Sequence, residues 1–173
     1  MMKGHLQVDE RAAETSAVAG TRLRIVIDDL SGPEIAEFLG EHIAEMRAIS
    51  PPESKHALDL DGLRRPEVTF WSVVDGNVLV GCGAIKALDA GHAEIKSMRT
   101  APSHQKRGVA SVLLPHILAE ARQMGFSQVS LETGSAEFFA PAHRLYAKFG
   151  FVRCGPFADY QEDPHSVFMT RAL

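Results

Sequence analysis

EIKSMRTAPSHQKRGVASVLLPHIL, residues 94–118, passes from a β-rich run through Pro102 and a group of basic and small residues into an apolar-periodic segment. The second half reads as an amphipathic helix over roughly 107–124, with Val109, Val112, Leu113, Ile117, Ala121 and Met124 on one stripe. A helix N-terminus carries unpaired N–H groups and about half a unit of positive charge, so it attracts anions. Gly108 lets a ligand approach the backbone without meeting a Cβ, Ala110 keeps the next inward position small, and Lys106 and Arg107 add charge. A pyrophosphate would suit such a cup. An ordinary strand-to-helix loop with solvated Lys and Arg is the alternative that these residues alone leave open.

Working outward, QVSLET (128–133) is again β-rich, so strand, helix and strand together take about 40 residues. That is the length of a right-handed crossover, and it predicts parallel neighbours at 94–100 and 128–133. Upstream, VTFWSVVDGNVLVGCGAIKAL (68–88) is two β-rich runs around Asp75-Gly76-Asn77, the turn chemistry of a tight antiparallel hairpin, and HAEIKSMRT (92–100) follows through Ala90-Gly91. LRIVIDD (23–29) reads as a first strand. SGPEIAEFLGEHIAEMRAI (31–49) places Ile35, Phe38, Leu39, His42, Ile43 and Met46 at helical spacing, with Ser31 as cap and Pro33 in the first turn. Pro51-Pro52 stops that helix, a second short helix is expected in 53–63, another in roughly 141–149, and SVFMTRAL (166–173) closes the chain as a strand. The expected class is α/β: a mixed, largely antiparallel sheet with one central parallel pair and helices on both faces.

The bulk numbers bound the function. A chain of 173 residues supports one full hydrophobic core, and 45% apolar with 23% charged residues is ordinary globular composition. The polar, aperiodic residues 1–21 read as a flexible N-terminal extension, leaving 22–173 as a single domain. A formal net charge of -4 gives no basic surplus, so nucleic acid is not an expected partner. No apolar run is long enough for a membrane span. Cys82 and Cys154 are far apart and the eight histidines lack ligand spacing, so neither a disulfide framework nor a metal is expected, and a cytoplasmic setting is. GCGAIK (81–86) starts like a dinucleotide fingerprint but lacks its third glycine and opens no helix.

HQKRGVA after Pro102 resembles the Q/R-x-x-G-x-G/A acyl-coenzyme A motif of the GCN5-related N-acetyltransferase (GNAT) family, and PAHRLYAKFGF (141–151) resembles that family's later LYxKxGF segment. The two stand in the right order and at the usual separation, and the resemblance covers roughly 22–173. It implies acetyl-CoA as co-substrate. It also implies that the turn at Gln105, Lys106, Arg107, Gly108, Val109, Ala110 and Ser111 binds the pyrophosphate, and that a bulged strand at Met98, Arg99 and Thr100 pairs with the pantetheine arm. Splaying of that strand from its parallel neighbour would open the groove. A homodimer is possible on the same grounds. Three features depart from the pattern: Ala110 stands where glycine is commoner, Pro115 falls inside the helix and is expected to kink or bulge it, and Phe139 stands where asparagine often contacts pantetheine.

Acetyl transfer to an amine needs removal of a proton from the ammonium, oxyanion stabilisation, and protonation of the leaving thiolate. The resemblance implies Tyr146 as the acid; a phenol stays protonated at neutral pH and donates to a thiolate. Packing within the stripe Ala142, Leu145, Tyr146, Phe149 is the alternative. Glu94, 11 residues before Gln105, stands where histone-type members carry a base, or is simply a strand carboxylate. The Met98 amide would meet the oxyanion. His42, Met46, Ser54, His56, Glu132 and Tyr160 are candidates for the wall facing a primary amine of a small molecule or amino acid. A protein or peptide amine, and a non-catalytic acyl-CoA-binding module, are the rival readings.

Overall fold

The computed structural model describes residues 22–51 and 58–173. The β-branched and aromatic runs form strands β1 (Leu23–Ile27), β2 (Val68–Asp75), β3 (Val78–Ala87), β4 (His92–Thr100), β5 (Gln128–Gly134), β6 (Val152–Cys154) and β7 (Ser166–Ala172). They build one seven-stranded sheet in the order β1-β2-β3-β4-β5-β7-β6. Only the β4–β5 pair is parallel; the other neighbours are antiparallel. Helices α1 (Pro33–Ile49), α2 (Leu60–Leu63), α3 (Val109–Gln123) and α4 (Ala140–Lys148), with 3-10 turns at Pro102–His104 and Glu137–Phe139, complete the described elements.

Each sheet face has its own core. On one, Trp71, Val73, Ile85, Ile95, Val129 and Leu131 pack with Leu113, Leu114 and Ile117 of α3 and Tyr146 of α4. On the other, Phe70, Cys82 and Ala84 meet Ile35, Phe38 and Leu39 of α1 and Leu63 of α2. The expected α/β class, with a mixed sheet and helices on both faces, is what forms.

Local departures have physical causes. Ser31 does not cap α1: its hydroxyl and amide both bond to the Asp29 carboxylate, at 2.6 and 3.0 Å, and Gly32 occupies the cap without a side-chain bond. Asp59 does cap α2, accepting from the Gly62 amide at 2.9 Å. Helix α3 runs unbroken through Pro115, whose ring is exposed. The short β6 has no counterpart in the sequence reading. The expected flexible extension over 1–21, the first part of the expected second helix, Ser54 and His56 lie outside the described residues.

Two features of β4 open the sheet. Cys82 pairs with Arg99 but Ala84 with Lys96, so β4 carries one extra residue, and Ser97 adopts a left-handed φ of 56° within this bulge. Pairing with β5 covers only His92↔Gln128 to Ile95↔Leu131. Beyond that point the two strands continue to Thr100 and Gly134 without pairing to each other, and a gap forms between them.

The glycines of GCGAIK belong to this arrangement. A Cβ on Gly81 would stand 2.6 Å from Val109 Cγ1, and one on Gly83 would stand 2.5 Å from Met98 Sδ and 3.0 Å from Ile117 Cδ1. Their absent side chains let α3 lie close on β3.

Candidate active site

The chain leaves β4 through a single 3-10 turn at Pro102–His104 and enters α3 at Gly108, a left-handed N-cap with φ 85°. Lys106, at φ 62°, is also left-handed. No side chain caps the helix, so its first amides are not met by any side-chain acceptor. Burial of Val109 and Leu113 fixes that first turn against the sheet. In front of it lies a cleft of about 590 Å³, walled by Met98, Arg99 and Thr100 of β4, by Gln105, Lys106 and Gly108 to Ser111, and by α4. Arg107 is exposed and does not line the cleft.

Tyr146 points into this cleft from α4 and is only 6% exposed. Its ring meets Phe151 edge-on at 5.7 Å, and no described residue hydrogen-bonds to its hydroxyl. Burial raises its pKa above the ordinary tyrosine value, so the group stays protonated. Phe139 and the half-exposed Phe138 pack edge to face beside it, at 5.2 Å, and both line the cleft. Phe139 lies over Gly134, where a Cβ would collide with its ring.

Glu94 is 3% exposed and already committed. One carboxylate oxygen accepts from the Tyr160 hydroxyl at 2.5 Å and from Lys96 Nζ at 3.1 Å, and Lys96 also donates to the Tyr160 oxygen at 3.0 Å. Burial first, then the Glu94 charge, pushes the Tyr160 pKa far up. The cluster ties β4 to the loop between β6 and β7, and forms the inner end of a second cavity of about 740 Å³ lined also by Lys86, Asp159, Glu162 and His165.

Across the cleft, α1 contributes His42, Glu45 and Met46. Arg99, with a side chain 7% exposed, pairs with Glu45 at 2.5 Å and lies 5.1 Å over the Phe38 ring, while its Nε is buried without a partner. Burial, reinforced by Arg99, lowers the His42 pKa to about 4, so this imidazole is neutral at pH 7. Glu132 accepts from Ser166 at 2.8 Å and lines the same cleft.

The fold therefore brings Tyr146, Met98 to Thr100, the 105–111 turn without Arg107, His42, Met46 and Glu132 to one cleft, and Glu94 and Tyr160 to its neighbour. Sequence reading missed Lys96 and the Arg99–Glu45 pair. The i, i+2 spacing of Glu94 and Lys96, which predicts a shared strand face, was the available signal for the first. Nothing local links residues 45 and 99. Among the described residues no group of three His, Cys, Asp or Glu is placed to hold a metal. No described helix is long and apolar enough to cross a membrane.

A helix N-terminus, an open strand pair and a protonated phenol converging on one cleft can hold an extended anionic thioester and protonate its leaving sulfur. The family model described as Acetyltransferase (GNAT) family matches residues 35–151. The uncharacterized N-acetyltransferase YsnE of Bacillus subtilis is 55% identical over 87% of this chain and 100% of its own length. The IAA acetyltransferase of Azospirillum brasilense is 38% identical over 81% of this chain and 86% of its own. A GNAT family acetyltransferase from Elizabethkingia anophelis, solved with acetyl-CoA bound, shares the fold at a TM-score of 0.58 and 16% identity, over 87% of this chain and 98% of that one.

Proposed function

The chain belongs to the GNAT acetyltransferase family, and from that premise we propose that it transfers acetyl from acetyl-CoA directly to a primary amine of a small molecule or amino acid. The observation that carries the reading is the opening of β4 from β5 beyond Ile95 and Leu131, directly below the uncapped N-terminus of α3 and facing Tyr146. The amides of Val109, Ala110 and Ser111, with Lys106, hold the pyrophosphate in this reading. The stretch Met98 to Thr100, unpaired on its β5 side, takes the pantetheine arm as if it were another strand. The thioester then lies at the fork, with the Met98 amide available to the oxyanion and the Tyr146 hydroxyl to the sulfur.

Phe139 changes how the arm is held. A phenylalanine ring offers no amide, so hydrogen bonding to pantetheine rests on the β4 backbone and the contact from the 3-10 turn before α4 is apolar. Residues 158–165 of the loop from β6 to β7 wall the second cavity, which supports an acceptor small enough to enter it.

Thiol release from acetyl-CoA over a panel of amines, amino acids and peptides tests the reading. IAA, named in the Azospirillum relative, belongs in the panel. Acceptor-dependent release is the expected result. Absence of calorimetric saturation by acetyl-CoA at millimolar concentration would overturn it.

A further inference from the structure

We propose that the acceptor amine reaches the thioester through the second cavity and that His165 takes its proton, an assignment that rests on the acetyl-CoA reading. His165 and Lys96 are the two residues that line both cavities. Lys96 is already engaged as a donor to both Glu94 and Tyr160. His165 is different. It is exposed, and no described residue hydrogen-bonds to its ring.

The backbone at this position is firmly placed. Its amide donates to Asp163 at 2.8 Å, its carbonyl accepts from the Ser135 amide at 3.0 Å, and the next residue, Ser166, enters β7 opposite Gly134 while its hydroxyl bonds to Glu132. A ring mounted on two tethered strand ends stands beside the fork between β4 and β5 without being fixed by bonds of its own. That suits a group that must accept a proton and release it to solvent.

Glu94 lacks this freedom. It is buried, and one of its carboxylate oxygens already receives both Tyr160 and Lys96. Imidazole is also the side chain suited to take up and release a proton near neutral pH. The charged and titratable groups lining the two cavities with it include Lys86 on β3, Glu94, Lys96 and Arg99 on β4, Glu132 on β5, Asp159, Tyr160, Glu162 and Asp163 on its own loop, and Glu45 and the neutral His42 on α1 across the cleft. The cavity rim at Asp159 and Glu162 is acidic, which favours arrival of the acceptor as its ammonium form.

The proton balance closes. The ammonium loses one proton to the His165 imidazole, which passes it to water. The free amine attacks the thioester carbon, the C–S bond breaks with its electron pair on sulfur, Tyr146 protonates the thiolate, and the nitrogen's second proton, carried by water, returns Tyr146 to its phenol form. Amide, thiol and one released proton are the products.

The test compares His165→Gln with wild type using two probes: propylamine, an ammonium at neutral pH, and methoxyamine, which is uncharged there and needs no base. Expected is a ~100-fold loss of kcat/KM for propylamine at pH 7, loss of the acidic limb of its pH profile, and a methoxyamine rate within about threefold of wild type. Glu94→Gln retains the limb. Equal losses with both probes, an unmoved limb, a limb that vanishes only in Glu94→Gln, or a wild type inert towards both probes would each overturn the assignment. Acetyl-CoA binding by calorimetry separates the two levels: if wild type fails to saturate, the proposed function falls too, and if it saturates while the limb is unmoved, only His165 falls.

Discussion

At the scale of single residues, the chemistry is divided by who is already bonded. Tyr146 presents to the cleft a hydroxyl that no described residue bonds, free to meet a ligand sulfur. Tyr146→Phe is therefore expected to lower kcat by ~100-fold, to change acetyl-CoA affinity less than about twofold, and to leave thermal stability equal or slightly higher. Thiol-release kinetics, calorimetry and a melting curve check the three, and a matching loss of affinity would reduce the residue to packing. His42 carries an acid-sensitivity that can be signed. Its folded pKa of about 4 lies below the unfolded value, so the unfolded chain binds the extra proton, and stability present above pH 6.5 is lost as pH falls towards 4. His42→Asn should remove that slope, which is on the order of 2–3 kcal/mol across the window, as urea melts at pH 7 and 4.5 would reveal. The identity of these residues was legible from the motif and the helical stripe. Their bonding state was not: nothing in the sequence near Glu94 announces Tyr160, 66 positions away, as its partner.

Elements position those residues through close approach, and the glycines of β3 control it. Gly81→Ala would press a methyl against Val109 at the first turn of α3 and against the Arg99 carbonyl at 3.2 Å, neither of which can swing aside cheaply. Expected is a loss of about 1–3 kcal/mol of stability, with acetyl-CoA affinity falling at least as sharply because the displaced turn is the one that meets the pyrophosphate. Gly108→Ala offers the contrast. Space there is open, so the cost is the left-handed φ of 85° alone, about 1 kcal/mol. Melting curves with and without ligand distinguish the pair. Periodicity gave α1, α3, α4 and the hairpin within a few residues because each has a long stripe or alternation. It passed over β6, whose Val152–Cys154 is too short to alternate, and it misplaced the α1 cap because Asp29, a stronger acceptor, takes both donors of Ser31. Gly81 and Gly83 were read only as a failed nucleotide motif, since a close approach by a helix that begins nearly 30 residues later leaves no local trace.

At the scale of the whole molecule, the sheet is two parts joined across its middle by a short parallel seam. β1 to β4 form one part and β5, β7 and β6 the other, and four residue pairs, His92↔Gln128 to Ile95↔Leu131, hold the seam. The parallel pair followed from the crossover length and the β2–β3 hairpin from its turn. The length of the seam did not, because it depends on where the bulge at Ser97 turns β4 away. A ligand that pairs with β4 beyond the seam and is anchored on α3 adds a second join between the parts. Acetyl-CoA should therefore stabilise the folded chain by mass action, about 2.7 kcal/mol at a hundredfold excess over Kd. The added protection should be local to the seam as well as global. In hydrogen exchange the amides at Met98 to Thr100 are expected to slow most, ahead of those in β1 and β2, which lie far from the join. Uniform slowing across all seven strands would mean that ligand merely selects the folded state, and would leave the open strand of β4 with no part in holding the pantetheine arm.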